Sequence, residues 1–334
     1  MEKVYLTTIE SLLNNLDQRR KEILERRFGL KTGEPETLQS IGNDLGITRE
    51  RVRQIIVATL NQIKEKNERV LTKPIQIIED YFQQNGGLKK EEKIFQEMAP
   101  EERFRGPVFF FLTIGDRFSR FKETEEHYSF WTIEQKAVLK AQKTITVTIE
   151  KLEDIKEPLP LEELKRKVRQ KIEEKIFLSY IEISKLIAQS PEGLFGLISW
   201  PEVNPRGLRD KIYLVLKKEG RPLHFYEIAQ RINQLPFQNK EVLPESVHNE
   251  LIRSDLFVLI GRGIYALKEW GYEPGTVKDI IIKILKDANK PLTKEKILQK
   301  VLEQRMVKEN TVILNLQDKN RFARTEDGRY FLIS

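Results

Sequence analysis

Apolar residues fall at helical spacing from Leu12, Leu13 and Leu16 to Ile23, Leu24 and Phe28, and Phe28-Gly29-Leu30 closes that run with a glycine suited to a helix C-cap. A polar loop, Lys31 to Glu36, follows. Thr37 then stands as an N-cap, with Ser40 where a Glu or Gln would complete a capping box. The short helix it opens turns Leu38, Ile41 and Leu45 inward, and Gly46 breaks it where the chain must turn sharply. Thr48 caps the next helix. Its Val52, Ile55, Leu60 and Ile63 form one apolar stripe, while Arg49, Glu50, Arg53, Gln54 and Val57 fall on the opposite face.

After a charged tail from Lys64 to Arg69 and Pro74, the pattern cycles. Pro158-Leu159 with Leu164, Pro222-Leu223 with Ile228 and Pro291-Leu292 with Ile297 share one spacing, and Gly87-Leu88 with Ile94 is a degenerate earlier copy. An apolar helix precedes each turn, as in Ile212 to Leu216 and Ile280 to Leu285. Each unit ends in a β-like run: Tyr128 to Trp131, Leu194 to Ile198, Gly263 to Leu267 and Gly328 to Leu332. The period of about 65 residues signals an array of similar modules. The hairpin is clearest where Arg321 to Arg324 faces Arg329 to Leu332 across Thr325-Glu326-Asp327-Gly328. Helix, Pro-Leu turn, helix, third helix and hairpin describe a winged helix. The expected fold class is therefore mainly α, an N-terminal helix-turn-helix domain followed by tandem winged-helix modules with small β-hairpin wings. The expected bounds are 1–70, 74–133, 145–203, 205–271 and 274–334.

Composition narrows the function classes. The chain's 334 residues exceed one typical domain, and its 58 Lys+Arg against 51 Asp+Glu leave +7, which favours a polyanionic partner. The lack of Cys removes disulfides, thiolate zinc sites and cysteine nucleophiles, and His127, His224 and His248 are too far apart for metal-ligand spacing. No cofactor or metal is expected. Met1 to Leu13 carries Glu2 and Glu10 without an unbroken apolar run, so neither a signal peptide nor a membrane anchor is expected there, and no stretch is long enough for a span. The expected location is cytoplasmic and nucleoid-associated.

Two helices joined by a glycine turn, the second basic on its outer side near its start, make the helix-turn-helix pattern, in which the start of the second helix enters the major groove. The residue types fit. Arg makes bidentate contacts to guanine, Gln to adenine, Glu accepts from cytosine, and further Arg clamps phosphates. The expected DNA-binding residues are Thr48, Arg49, Glu50, Arg51, Arg53 and Gln54. Leu16-Asp17-Gln18-Arg19 through Arg27-Phe28-Gly29-Leu30, Thr37 to Gly42 and Ile47 to Ile55 together resemble region 4 of the housekeeping bacterial sigma factors, over roughly residues 1–66. The resemblance implies binding to a −35-like promoter element. Residues matching Arg49, Glu50 and Gln54 would touch bases, those matching Arg51 and Arg53 would lie along the backbone or groove, and RNA polymerase core would be a partner. Ile56 stands where the family commonly has Glu, and Ala58 where it has a Lys, which implies one phosphate contact fewer. Ile56 is expected to pack against something further, such as the following module. Regions 2 and 3 of the family find no counterpart, so initiation by this chain alone is not expected.

The unit from Arg206 to about Gly271 resembles the HARE-type helix-turn-helix module, as in the delta subunit of bacterial RNA polymerase. Leu216 to Phe225, Glu227-Ile228-Ala229 and Gly263 to Trp270 carry the likeness. Joined to a region 4-like domain, it resembles presumptive transcription regulators of small-genome, candidate-phyla bacteria. In the module's turn His224 is read as a cap or packing residue rather than a catalyst. Trp131, Trp200 and Trp270 are read as packing rather than stacking on bases. The third helices, with His248 to Arg253 and Asn310 to Asn315, carry mixed charge, so a partner-protein surface competes there with DNA. The enzymatic rival is a nuclease, because Glu91-Glu92-Lys93 after Asp80, and Glu173-Glu174-Lys175, echo an acid-x-Lys metal motif. Both triplets sit in helical patterns where that motif needs a strand, and no Walker-type loop occurs. The reading is a non-enzymatic, sequence-specific transcription regulator. The alternative is a delta-like polymerase accessory factor acting mainly by protein contact.

Overall fold

The computed structural model describes residues 2–235 and 240–333, so Met1 and Ser334, the outer bounds of the first and last expected modules, lie outside the described residues. The chain is mainly helical with small antiparallel sheets, and it divides into two units, residues 1–198 and 199–334. Among the described residues no helix is long and apolar enough to cross a membrane.

The first unit opens with α1 (Glu2–Asn14), α2 (Gln18–Phe28), α3 (Leu38–Asp44) and α4 (Arg49–Gln84). The apolar run from Leu12 to Phe28 spans two helices, not one. Asp17 adopts an extended backbone, and its carboxylate accepts from the Arg20 N–H at 3.0 Å, starting α2 afresh. Gly29 ends α2 with φ 64°, and a Cβ there would meet the Glu34 backbone at 2.5 Å, so only glycine fits.

Helix α4 does not stop at the charged tail. It bends at Asn67, whose φ/ψ of −130/27 leave the helical region and whose amide donates to the Ile63 carbonyl at 3.1 Å, then continues through Pro74 to Gln84. The expected junction between residues 70 and 74 thus lies inside a helix. Ile23, Phe28, Val52 and Ile63 from one side of that junction, and Ile78, Phe82, Phe110 and Phe111 from the other, are buried in one core. The approach is close: a Cβ on Gly106 would stand 2.5 Å from the Gly29 carbonyl oxygen.

Four repeats of one plan follow, each sharing its opening helix position with the apolar run ahead of the turn. The first uses α4, β1 (Leu88–Lys90), α5 (Glu91–Met98), α6 (Glu102–Ile114), β2 (Ser119–Phe121) and β3 (Phe130–Thr132). The second has α7 (Gln135–Ile155), α8 (Leu161–Val168), α9 (Glu174–Ile181), β4 (Ile187–Gln189) and β5 (Phe195–Leu197). In the second unit come α10 (Leu208–Glu219), β6 (Leu223–His224), α11 (Phe225–Asn233), α12 (Pro244–Arg253), β7 (Phe257–Gly261) and β8 (Ile264–Leu267). The last repeat has α13 (Val277–Ala288), α14 (Lys294–Gln304), α15 (Glu309–Leu316), β9 (Phe322–Arg324) and β10 (Tyr330–Leu332).

The recurring leucine has one physical job. Leu88, Leu159, Leu223 and Leu292 are all buried, and each pairs antiparallel with the last strand of its own repeat: Leu88 with Thr132, Leu159 with Phe195, Leu223 with Tyr265 and Leu292 with Tyr330. The turn residue therefore adds an edge to the hairpin and a side chain to the core. Its helical partner, Ile94, Leu164, Ile228 or Ile297, is fully buried in every copy. At the third copy His224 caps α11: its ring accepts from the Tyr226 N–H at 3.3 Å, and Glu227 accepts from the His224 N–H at 3.3 Å. Trp131 is buried and donates to Glu91 at 2.7 Å, and Trp270 packs against the core of its own repeat.

Candidate nucleic-acid interface

The helix pair α3 and α4 is set by short-range chemistry. Thr37 accepts from the Ser40 N–H at 3.1 Å and Thr48 from the Arg51 N–H at 3.2 Å, so each helix begins at the residue whose hydroxyl satisfies an orphan donor. Between them Gly46 takes φ 63°, and a Cβ on Gly42 would approach the Ile47 carbonyl oxygen to 2.7 Å, which keeps the turn tight. Arg26 of α2 braces the pair from behind. It donates to both carboxylate oxygens of Glu36, at 2.9 and 2.7 Å, and reaches Asp44 at the end of α3.

The first turns of α4 sort their residues by face. Val52, Ile56, Thr59, Leu60 and Ile63 are buried, and Ile55 packs partly buried against the same core. Thr48, Arg49, Glu50, Arg51, Arg53 and Gln54 are all exposed, so the structure brings the six expected residues together on one open surface. Ile56 belongs to the core that α4 shares with the following repeat, in agreement with the packing expected of it, and Ala58 is exposed.

Two contacts organise that surface. Glu50 and Arg53 form a fork with Nε–Oε2 at 2.9 Å and Nη2–Oε1 at 2.7 Å. The hydrogen bond from Arg53 and its charge hold the Glu50 carboxyl below the ordinary carboxylate range, and Glu50 in turn raises Arg53. Arg51 donates to Gln54 at 3.2 Å, whereas Arg49 makes no hydrogen bond among the described residues. One arginine is thus paired in place, one is parked on an amide, and Arg49 stands exposed with its charge acting on Glu50. Thr48 is a cap first, its hydroxyl turned to its own helix.

The nuclease-like acids are engaged elsewhere. Glu91 accepts from both Arg120 nitrogens, at 2.5 and 2.6 Å, and from the Trp131 indole, while Asp80 accepts from Gln76 at 2.8 Å. Among the described residues there is no group of three or more His, Cys, Asp or Glu placed to hold a metal ion. The residue that sequence reasoning passes over is Arg26, because it and Glu36 sit ten positions apart across a loop, outside any helical period.

With this geometry in hand, residues 12–65 match the family model of sigma-70, region 4. The chain is also 46% identical over 56 residues to the RNA polymerase sigma factor RpoS of Coxiella burnetii (strain RSA 493 / Nine Mile phase I). That alignment covers 17% of this chain and spans 16% of the relative's length. Residues 12–65 therefore carry a sigma-70 region 4 domain.

Proposed function

We propose that the chain is a sequence-specific DNA-binding transcription regulator that recognises a −35-like promoter element and contacts RNA polymerase core. The observation that carries this reading is the surface at the start of α4, where Arg49, Glu50, Arg51, Arg53 and Gln54 stand exposed behind the Thr48 cap while Val52 and Ile56 anchor the helix. Such a surface suits the major groove: Arg49 and Gln54 reach base edges, Glu50 accepts from cytosine, and Arg51 and Arg53 serve phosphates once they leave Gln54 and Glu50. The match of residues 12–65 to sigma-70 region 4 supports both the duplex and the polymerase as partners. The four repeats are tandem winged helices in this reading, and the third is of the HARE type found in delta-like proteins; the bounds expected at 74 and 145 fall inside α4 and α7, so the first two modules open within and at the start of those helices. The chain works in the cytoplasm at the nucleoid, without catalysis or cofactor, as in presumptive regulators of candidate-phyla bacteria.

One observation favours the accessory-factor reading for the repeats themselves. The third helices of the last two repeats expose Ile252, 65% accessible, and Leu314, 66% accessible, where a strong DNA reader would carry cations. A mobility-shift experiment with a −35-like duplex, with and without polymerase, separates the two. Binding of free duplex, with log K falling linearly against log salt, is the expected result. A promoter effect seen only with polymerase present would shift the assignment to protein contact.

A further inference from the structure

The second unit holds a cavity, of about 640 Å³, between the β7–β8 turn, the start of α13 and the segment joining α14 to α15. Three cations line it, Arg262, Arg305 and Lys308, and no carboxylate does. Arg262 and Lys308 make no ion pair among the described residues. Arg305 is 3% exposed, and its guanidinium is fixed by three carbonyls, Gln304 at 2.6 Å, Glu273 at 2.6 Å and Gly275 at 2.9 Å. Those carbonyls orient the group without cancelling its charge. Two carboxylates act on it electrostatically without touching it: Glu273, which pairs with Lys283 at 2.7 Å, and Asp279, which accepts from Thr276 at the cavity wall. Burial lowers the Arg305 pKa, the mark of a cation paying for desolvation without a direct counter-ion.

The cavity is also rigid in the places where a ligand would need it to be. Arg262 rides between two glycines that nothing larger replaces: a Cβ on Gly261 would stand 2.8 Å from the Met306 carbonyl oxygen, and one on Gly263 would stand 2.5 Å from His224 Nε2. The Met306 N–H donates to the Ile260 carbonyl at 2.7 Å, which pins the α14–α15 segment along β7. Lys308 is the N-cap residue of α15 and supplies no side-chain cap, so its ammonium stands at the cavity beside a helix start whose first turn carries Glu309. Leu259, Val277 and Met306 add apolar wall on which an organic body can rest.

We propose that this cavity binds a phosphate group, held by Arg262 and Lys308 against the fixed charge of Arg305. The group belongs either to a small phosphorylated molecule or to a nucleic-acid backbone, and the two sources are separable. The full chain is titrated by calorimetry with inorganic phosphate, with guanosine monophosphate, and with a short duplex lacking any −35-like sequence. The variant Arg262→Ala/Lys308→Ala removes two exposed cations and leaves buried Arg305 in place, and an unchanged melting temperature confirms its fold. Each removed cation is expected to weaken binding roughly tenfold. Loss of nucleotide and phosphate binding in the variant identifies a small-molecule site, and loss confined to the duplex identifies the backbone. If none of the three probes responds to the double substitution, the proposal is overturned. The phosphate and nucleotide measurements contain no DNA, so they stand or fall independently of the promoter reading.

Discussion

The start of α4 and the starts of α12 and α15 are built alike and furnished differently. Each follows a partner helix across a turn, and each buries one apolar stripe: Val52, Ile56 and Leu60 in α4, Val247 and Leu251 in α12, Val312 and Leu316 in α15. Their outer faces diverge. Within its first five residues α4 exposes Arg49, Arg51 and Arg53, whereas α12 exposes Glu245 and Ser246 and α15 exposes Glu309, Asn310 and Thr311. Similar backbone thus carries different surfaces. What distinguishes α4 is cationic, bidentate chemistry on an anchored first turn.

The comparison also depends on how α4 is anchored, and the largest expected effect lies there. Phe82 is fully buried at the far end of α4, in the core that also holds Phe28 and Val52. Phe82→Ala should cost about 3–5 kcal/mol. Because one core serves both sides of the 70–74 junction, urea unfolding followed separately by probes near Phe28 and near Trp131 should show the two transitions shifting together. A shift confined to the Trp131 probe would mean that the region 4 segment is held independently.

Next in size is the chemistry of the outer faces. Arg49→Ala and Gln54→Ala should each cost about 1–3 kcal/mol of duplex affinity and relax base preference, as expected for lost bidentate contacts. Asn249→Ala, at the α12 position matching Gln54, and Asn310→Ala, at the α15 position matching Glu50, should leave the same binding isotherm unchanged. Equal losses in both sets would erase the distinction drawn between the helices.

How much of this was legible in the residue order follows from the range of each interaction. Caps and turns depend on neighbours two or three positions apart, so Thr37, Thr48, Gly29 and Gly46 announce themselves, as does the leucine that recurs through the four repeats. The six residues of the α4 surface are legible for the same reason, one helical turn being enough to sort faces. The break at Asp17 is hidden because Leu13 and Leu16 keep helical spacing across it. Continuation of α4 through Pro74 is hidden more deeply: Lys64 to Arg69 reads as a solvated tail, and only the tertiary burial of Leu71, Ile78 and Phe82 carries the helix onward. Arg26 and Gly106 escape notice because their partners, Glu36 and the Gly29 carbonyl, lie across loops.

Smaller effects test the caps that both kinds of module share. Thr48→Ala and His224→Ala each remove a side-chain acceptor at a helix start, and each should cost about 1 kcal/mol of stability. The difference between them should be in function. Thermal melts should move similarly, but only Thr48→Ala should loosen the turn that carries Arg49 and weaken duplex binding. If His224→Ala weakens that binding as much, the third repeat takes part in recognition.

The smallest change concerns the one arginine that α4 holds in reserve. Glu50 and Arg53 are exposed, so their fork adds little to stability, yet it decides whether Arg53 is available to a phosphate. Glu50→Gln removes the neutralising carboxylate and frees one cation. The slope of log K against log salt should steepen by about 0.9, the contribution of a single added phosphate contact, while affinity for sites with cytosine at the contacted position declines. Acid should act in the same direction in the parent protein. The Glu50 carboxyl is held below its ordinary range, so the fork persists into mild acid and is lost only as pH falls through that depressed value. An unchanged salt slope in Glu50→Gln would mean that Arg53 does not reach the backbone, leaving Arg49 and Arg51 to carry the electrostatic part of the contact.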